Sequence, residues 1–155
     1  MTEQALIERF YEAFGRRDGD EMAACYTAGA HFSDPVFTDL RGPEVGAMWR
    51  MLTERGTDLR IELLEHEAQG ERGSAHWRAH YTFSQTGRAV INDVHASFVF
   101  SDGLIHEHTD DFNFRRWAGQ ALGTPGLLLG WTPFMRSSVR QRARAGLDEY
   151  MAGAG

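Results

Sequence analysis

Two acids in this chain stand where a side chain can move protons. Asp34 follows the run His31-Phe32-Ser33 and is held on its other side by Pro35; the residue before a proline is pushed from helical towards extended backbone. A carboxylate at that junction would point between the helices and a curved sheet. Asp110 closes the run Ile105-His106-Glu107-His108-Thr109-Asp110. Upstream, Asp102-Gly103 is a two-residue hairpin signal. If Ser101 pairs with Leu104, His95 falls directly opposite Asp110, with Cβ atoms about 4.5–5.5 Å apart, and His108 and Phe112 share that face. An acid beside an imidazole favours the charged ring or fixes its tautomer, which is how general acid–base sites are made. A single bulged residue puts Ala96 opposite Asp110 instead.

His106, His108 and Asp110 also repeat at every second position, like ligands along one strand. Alternate strand residues are about 7 Å apart, so a metal would need a further ligand; His95 is one candidate, and nothing else in the chain has ligand spacing. We read the run as hairpin polar residues and expect neither metal nor cofactor. No nucleotide fingerprint or cysteine-pair motif is present, and no nucleophile elbow surrounds Ser33, Ser97 or Ser101.

The elements that must position these acids follow from periodicity. Ala5, Leu6, Phe10, Ala13 and Phe14 recur at helical spacing, predicting an amphipathic helix from Thr2 to Arg16. A second, short helix carries Met22, Ala23 and Tyr26, and Thr27-Ala28-Gly29 closes it. His31 to Ser33 form the first strand. Pro43 suits the first position of a helix whose apolar side is Val45, Met48, Trp49 and Leu52. Strands are expected over Leu59–Ala68, Ser74–Ser84, Ala89–Phe100 and Leu104–Phe114. In the second of these, Ala75, Trp77, Ala79, Tyr81 and Phe83 alternate with His76, Arg78, His80 and Thr82. Helices followed by an antiparallel meander make the fold class α+β.

With 155 residues, 42% hydrophobic and 25% charged, the composition is that of a globular chain able to bury a core without staples. A net charge of −6 argues against a nucleic-acid partner. The start of the chain shows no secretory signal, no apolar run reaches the ~20 residues a bilayer span needs, and the lone Cys25 fits a cytoplasmic protein. Beyond residue 117 the chain changes character. Ala118–Thr132 is glycine-rich yet holds Leu127, Leu128, Leu129 and Trp131, and Pro133 opens a helix with Met135, Val139, Ala143, Leu147 and Tyr150 on one side. Residues 118–151 are expected to cap a pocket or pack on the domain or a partner subunit rather than touch a membrane. Arg136, Arg140, Arg142 and Arg144 are expected to face solvent, and residues 152–155 to fray.

The order of elements, the placing of Asp34-Pro35 and the meander through Asp102-Gly103-Leu104-Ile105 resemble the nuclear transport factor 2-like superfamily over roughly residues 2–117. That group includes ketosteroid isomerase, scytalone dehydratase, limonene epoxide hydrolase and the SnoaL-like polyketide cyclases. The resemblance implies a cone: a strongly curved antiparallel sheet around the N-terminal helices, in the manner of a cystatin-like roll, here with an extra C-terminal helix. It also implies an apolar pocket and a homodimer. Asp34-Pro35 matches the isomerase base and its proline, which implies a carboxylate partly desolvated by Phe32, Trp49 and residues of the first helix, with a raised pKa, that moves protons next to a carbonyl. Phe10 stands where the isomerase has its oxyanion tyrosine, with Tyr11 one step round the helix, and Ala96 or His95 stands where it has its protonated aspartic acid. The run from Ile105 to Asp110 is similar to the Ile-x-Glu-His-x-Asp pattern of the cyclases, in which the aspartate is an acid–base. For the epoxide hydrolase, the nearest counterpart of its Arg-x-Asp run is Arg78-Ala79-His80, and Phe32 and Ser33 occupy the strand of its water-binding pair.

The expectation is a domain that binds a small, mostly apolar molecule among aromatic residues including Phe10, Tyr11, Phe32, Trp49, Tyr81 and Phe112, with His108 beside them. As an enzyme it would be a cofactor-free isomerase, cyclase or dehydratase, with Asp34 as proton acceptor and Asp110 with His95 as a second acid–base. The alternatives are a non-catalytic ligand-binding or assembly module, and an epoxide hydrolase. Shared architecture does not choose among them.

Overall fold

The computed structural model describes residues 1–153. Helix α1 (Glu3–Gly15) starts at Thr2, whose side chain accepts from the Ala5 N–H. Helix α2 (Gly19–Ala24) starts at Asp18, which accepts from the Glu21 N–H in the same way; such caps satisfy donors that have no partner in the first turn. Strand β1 (Tyr26–Ser33), the two-residue β2 (Leu40–Arg41) and helix α3 (Pro43–Arg55) come next, α3 with its proline in the first turn as expected. The meander consists of β3 (Arg60–Gln69), β4 (Arg72–Phe83), β5 (Arg88–Ser101) and β6 (Leu104–Asp111). Helices α4 (Phe114–Leu122), α5 (Thr124–Leu129) and α6 (Pro133–Gly153) finish the chain.

The six strands form one curved, unclosed sheet in the order β2-β1-β6-β5-β4-β3, the α+β cone expected of the sequence. The sheet is mixed rather than wholly antiparallel, because β1 runs parallel to β6, placing Phe32 beside His108. That pairing also explains why β1 begins five residues earlier than its sequence suggests. Ile105 donates its N–H to the Cys25 carbonyl at 2.8 Å, so a stretch resembling a helix end is drawn out as a strand, and Tyr26 belongs to the sheet instead of α2. Asp102 and Gly103 both have positive φ, 54° and 74°, as the tight hairpin turn requires.

A larger correction follows from the β5–β6 register. Ser101 pairs with Leu104 and Phe100 with Ile105, but Val99 pairs with Glu107. His106 is therefore bulged, and beyond it every partner moves by one residue. Asp110 lies opposite Ala96, and His95 lies opposite Asp111 on the other face of the sheet. A side-chain period of two makes a one-residue shift equivalent to a change of face.

The main core fills the concave side of the sheet, where Leu6, Ile7, Phe10 and Phe14 of α1 and Val45, Met48 and Trp49 of α3 meet Trp77, Phe98 and Ile105. A second apolar cluster forms around Val90, Phe114, Trp117, Ala118 and Ala121. Helix α6 joins the two, packing Met135 and Val139 on the second cluster and Ala143, Leu147 and Tyr150 on the first. The stretch 118–132, expected as an apolar loop, is helical over most of its length. Its glycines serve close packing: a Cβ on Gly126 would collide with the Ala118 carbonyl of α4. Gly126→Ala should accordingly lower stability by about 1–3 kcal/mol through overpacking, measured as a fall in the urea midpoint. Ala152 and Gly153 complete α6 rather than fraying, and Ala154 and Gly155 lie outside the described residues.

Candidate active site

Asp34 stands just past the end of β1, where the chain leaves the sheet. Its Oδ1 accepts the N–H groups of Val36 and Phe37 at 2.7 and 2.6 Å, and its own N–H donates to the Phe37 carbonyl. The carboxyl thus closes the turn that Pro35 begins. Its Oδ2 takes no hydrogen bond among the described residues. Burial pushes the Asp34 carboxyl up to about 7, with the charge of Asp110 adding to the rise and the two backbone donors and Arg140 opposing it.

Asp110 sits on the concave face of β6 and is held from beneath by a buried chain of hydrogen bonds. The Trp49 indole N–H donates to Tyr26 Oη at 2.9 Å, that hydroxyl meets His108 Nδ1 at 2.7 Å, and His108 Nε2 meets Asp110 Oδ1 at 2.8 Å. One direction satisfies every group: indole to phenol, phenol to Nδ1, and Nε2–H to the carboxylate. The tautomer of His108 is assigned from this network. The ring is 1% exposed and is enclosed by Phe10, Phe32 and Phe98, with centroids 5.7, 4.9 and 4.5 Å away. His108 therefore orients Asp110 from within the core and does not line a cavity.

Asp34 and Asp110 open on the same cavity of about 570 Å³, whose wall includes Ser33, Thr109, Phe112 and Phe114. Helix α6 supplies the opposite side through Arg136 and Arg140. Arg140 Nε donates to the Pro35 carbonyl at 3.1 Å. The Arg136 guanidinium lies 5.4 Å over the Phe114 ring, and its buried Nε has no partner among the described residues.

The expected site residues take different places. Asp34, Asp110 and Phe112 line the cavity. Phe10, Phe32 and Trp49, 0–3% exposed, are core. Tyr81 is half-buried and accepts from the Trp117 indole at 2.8 Å, with burial and the charge of Asp34 pushing its hydroxyl up to about 12. Tyr11 is buried with a hydroxyl that has no partner among the described residues, raised well above the ordinary phenol range by burial and then by Asp110. His95, by contrast, is exposed on the outer face and stacks on His76 at 4.3 Å. It takes no part in the Asp110 site. Its neighbour Arg78 donates to Asp93 on that outer face, and His80 shares it; the counterpart of the hydrolase run is therefore turned away from the cavity. His106 meets Thr27 Oγ1, so the histidine repeat is split by the bulge.

Periodicity alone misses three participants. It sets Tyr26 on a helix, and it sets Arg136 and Arg140 in solvent, although their i, i+4 spacing puts them on one face of α6. Tyr11 offers a direct check. Removing a buried hydroxyl that has no partner relieves a desolvation penalty, so Tyr11→Phe should gain about 1 kcal/mol, or about 2–4 °C in Tm. A loss of stability on thermal unfolding would show that the hydroxyl is satisfied in solution.

A family model for the SnoaL-like domain matches residues 7–108. The chain belongs to the SnoaL-like domain family. Its fold places it in the nuclear transport factor 2-like superfamily, in agreement with solved structures. A putative polyketide cyclase from Pseudomonas putida superimposes with TM-score 0.66 at 21% identity, over 78% of this chain and 98% of that one. A nuclear transport factor 2-like protein of unknown function from Burkholderia pseudomallei gives 0.64 at 22%, over 73% and 92%. An epoxide hydrolase from Mycobacterium tuberculosis resembling limonene epoxide hydrolase gives 0.65 at 18%, over 82% and 92%. At these identities the likeness speaks for fold alone. No curated protein matches in sequence. The SnoaL-like match ends at His108, so the cavity residues Asp110, Phe112, Arg136 and Arg140 lie beyond it.

Proposed function

We propose that this SnoaL-like chain binds a small carbonyl compound with an apolar body and moves a proton at the carbon beside its carbonyl. The supporting observation is that Asp34, pushed up to about 7, and Asp110 open on one cavity. A base that titrates near neutral pH combines a usable deprotonated fraction with real proton affinity. Asp34 has its second oxygen free to take the proton. Arg136 lines the cavity with both acids, and we assign its guanidinium to the oxygen on which negative charge grows, the kind of donor that contributes most where charge develops. Asp34 then gives the proton back to the enolate, while Asp110, fixed as a carboxylate by His108, keeps the proton affinity of Asp34 high. The residue roles expected of an isomerase or cyclase are thereby redistributed: Arg136 takes the donor part that sequence gives to His95, and no metal or cofactor enters the scheme.

The competing reading is a binding module in which Asp34 only closes its turn, and the two backbone N–H groups on Oδ1 favour it. Proton exchange separates the two. A panel of aromatic polyketide-like ketones, cyclic enones and steroid ketones is incubated with the protein in D₂O, and deuterium at the carbon beside the carbonyl is followed by NMR. The proposal expects accelerated exchange for those ketones that raise Tm, at a rate that climbs as pH passes about 7. Ketones that raise Tm without exchanging would establish the binding module. We also take the chain to work as a homodimer through the outer sheet face, where His76, Arg78 and Asp93 are only partly covered; sedimentation velocity checks this, and a monomer at all concentrations would refute it.

A further inference from the structure

The net charge of −6 hides a strongly divided chain. Residues 112–147 contain six arginines and no Asp or Glu, a formal +6, which leaves −12 for the remainder. This basic segment also carries the exposed apolar side chains. Among the described residues, five of the eight exposed large hydrophobics fall within 127–134: Leu127, Leu128 and Leu129 at 51, 61 and 48%, Trp131 at 65% and Phe134 at 82%. Scattered apolar residues on a surface need no explanation, but a cluster of this kind does.

The cluster is packed against α4. Gly126 packs α5 directly against the Ala118 carbonyl, so the three leucines are presented outward together. Trp131 Nε1 donates to the Leu128 carbonyl at 3.0 Å, which leaves the indole without an unmet polar group if water is removed around it. Cations flank the cluster. Arg115 Nε donates to the Leu127 carbonyl at 3.0 Å, Arg116 is the next residue of α4 and is exposed, and Arg88 reaches the Gln120 carbonyl of α4 at 2.8 Å.

From this juxtaposition of Leu127–Leu129, Trp131 and Phe134 with Arg115, Arg116 and Arg88, we infer that α5 and the turn into α6 are a peripheral docking site for a lipid surface bearing anionic headgroups. Leucine, tryptophan and phenylalanine side chains enter the headgroup–acyl boundary, and arginines around them meet lipid phosphate. Charge complementarity selects this occupant over a two-fold pairing of the patch with itself, because that pairing brings the arginines of both copies together. The chain has no helix long and apolar enough to cross a membrane among the described residues, so the contact is with the surface only. The acidic overall composition speaks against a membrane, but the acids lie outside this segment.

The test uses the full chain with sucrose-loaded vesicles, of phosphatidylcholine alone or of equal parts phosphatidylcholine and phosphatidylglycerol. Binding to the anionic vesicles should exceed that to the zwitterionic ones by about tenfold or more and weaken as salt is raised. Trp49, Trp77 and Trp117 are buried, so a blue shift of the tryptophan emission on binding reports Trp131. The double variant Trp131→Ser/Phe134→Ser, at exposed positions that leave the core intact, should lose about tenfold or more in vesicle affinity, and Arg116→Glu should lose the preference for anionic lipid. Failure to sediment with anionic vesicles, or equal binding to both kinds, overturns the inference. If the double variant instead dissociates a dimer in sedimentation equilibrium, the patch belongs to a second copy.

Discussion

Replacing His108 with leucine should cost this fold about 3–5 kcal/mol, a value expected when one partner of a buried hydrogen-bonded pair is removed. Leucine fills much of the imidazole's space, so the loss comes from polar groups and not from an empty cavity. Asp110, 3% exposed, loses the N–H that meets its Oδ1, and the Tyr26 hydroxyl loses its acceptor at Nδ1. Each deserted group carries a penalty of about 1–3 kcal/mol. The measurement is urea unfolding, with the slope checked for constancy. Removing the deserted charge as well should recover part of the loss: His108→Leu/Asp110→Asn is expected to be more stable than His108→Leu alone, since a carboxamide left without that partner costs less than a carboxylate, and Tyr26 still accepts from the Trp49 indole. A loss under about 1 kcal/mol for His108→Leu would mean that the chain from Trp49 to Asp110 does not form in solution.

The second large effect belongs to Asp34→Asn, and its sign differs between activity and stability. If Asp34 is the base, proton exchange on a bound ketone should fall by about 10²–10⁴-fold. Stability should move the other way. The Asp34 carboxyl is raised from 3.8 to about 7 on folding, chiefly by burial, so the folded state holds this proton more firmly than the unfolded chain does. Its stabilising contribution is complete below about pH 4 and is lost as pH rises through about 7, a change of at most about 4 kcal/mol. In the Asp34→Asn variant the carboxamide oxygen can still accept from Val36 and Phe37, and the side chain has no charge to desolvate. At pH 8 Asp34→Asn should thus be more stable than wild type, and its stability should lack the wild-type decline between about pH 4 and 7. A variant that is inactive because it is damaged would be less stable, so the pair of measurements separates chemistry from folding.

Much of the architecture is legible in the sequence because local signals agree with the final fold. Thr2 and Asp18 cap their helices, Pro43 opens α3, and Asp102-Gly103 adopts the positive φ values that its hairpin needs. Asp34 is legible for the same reason, since Pro35 fixes the backbone on one side of it. The partner of Asp110 is not. Its identity depends on whether one residue of β6, His106, bulges out of the ladder, and nothing in the local sequence marks that bulge. The parallel pairing of β1 with β6 is likewise a contact between residues about eighty positions apart, and it alone turns Tyr26 from a helix residue into a link between Trp49 and His108. Arg136 and Arg140 read as a solvated face because a helix shows only which side is charged, not what another element sets against that side.

The measurement that bears most directly on the Asp34 site needs no ligand. Carboxyl carbons of ¹³C-labelled aspartate are followed by NMR from acid to alkaline pH, with the Asp34 signal assigned by its absence in Asp34→Asn. The geometry predicts a midpoint near 7 for Asp34, and the midpoint should fall in Asp110→Asn because the neighbouring charge is gone. A midpoint close to the ordinary 3.8, unmoved by Asp110→Asn, would show that the two carboxyls do not share a desolvated cavity, and the proton-transfer reading would fail with it.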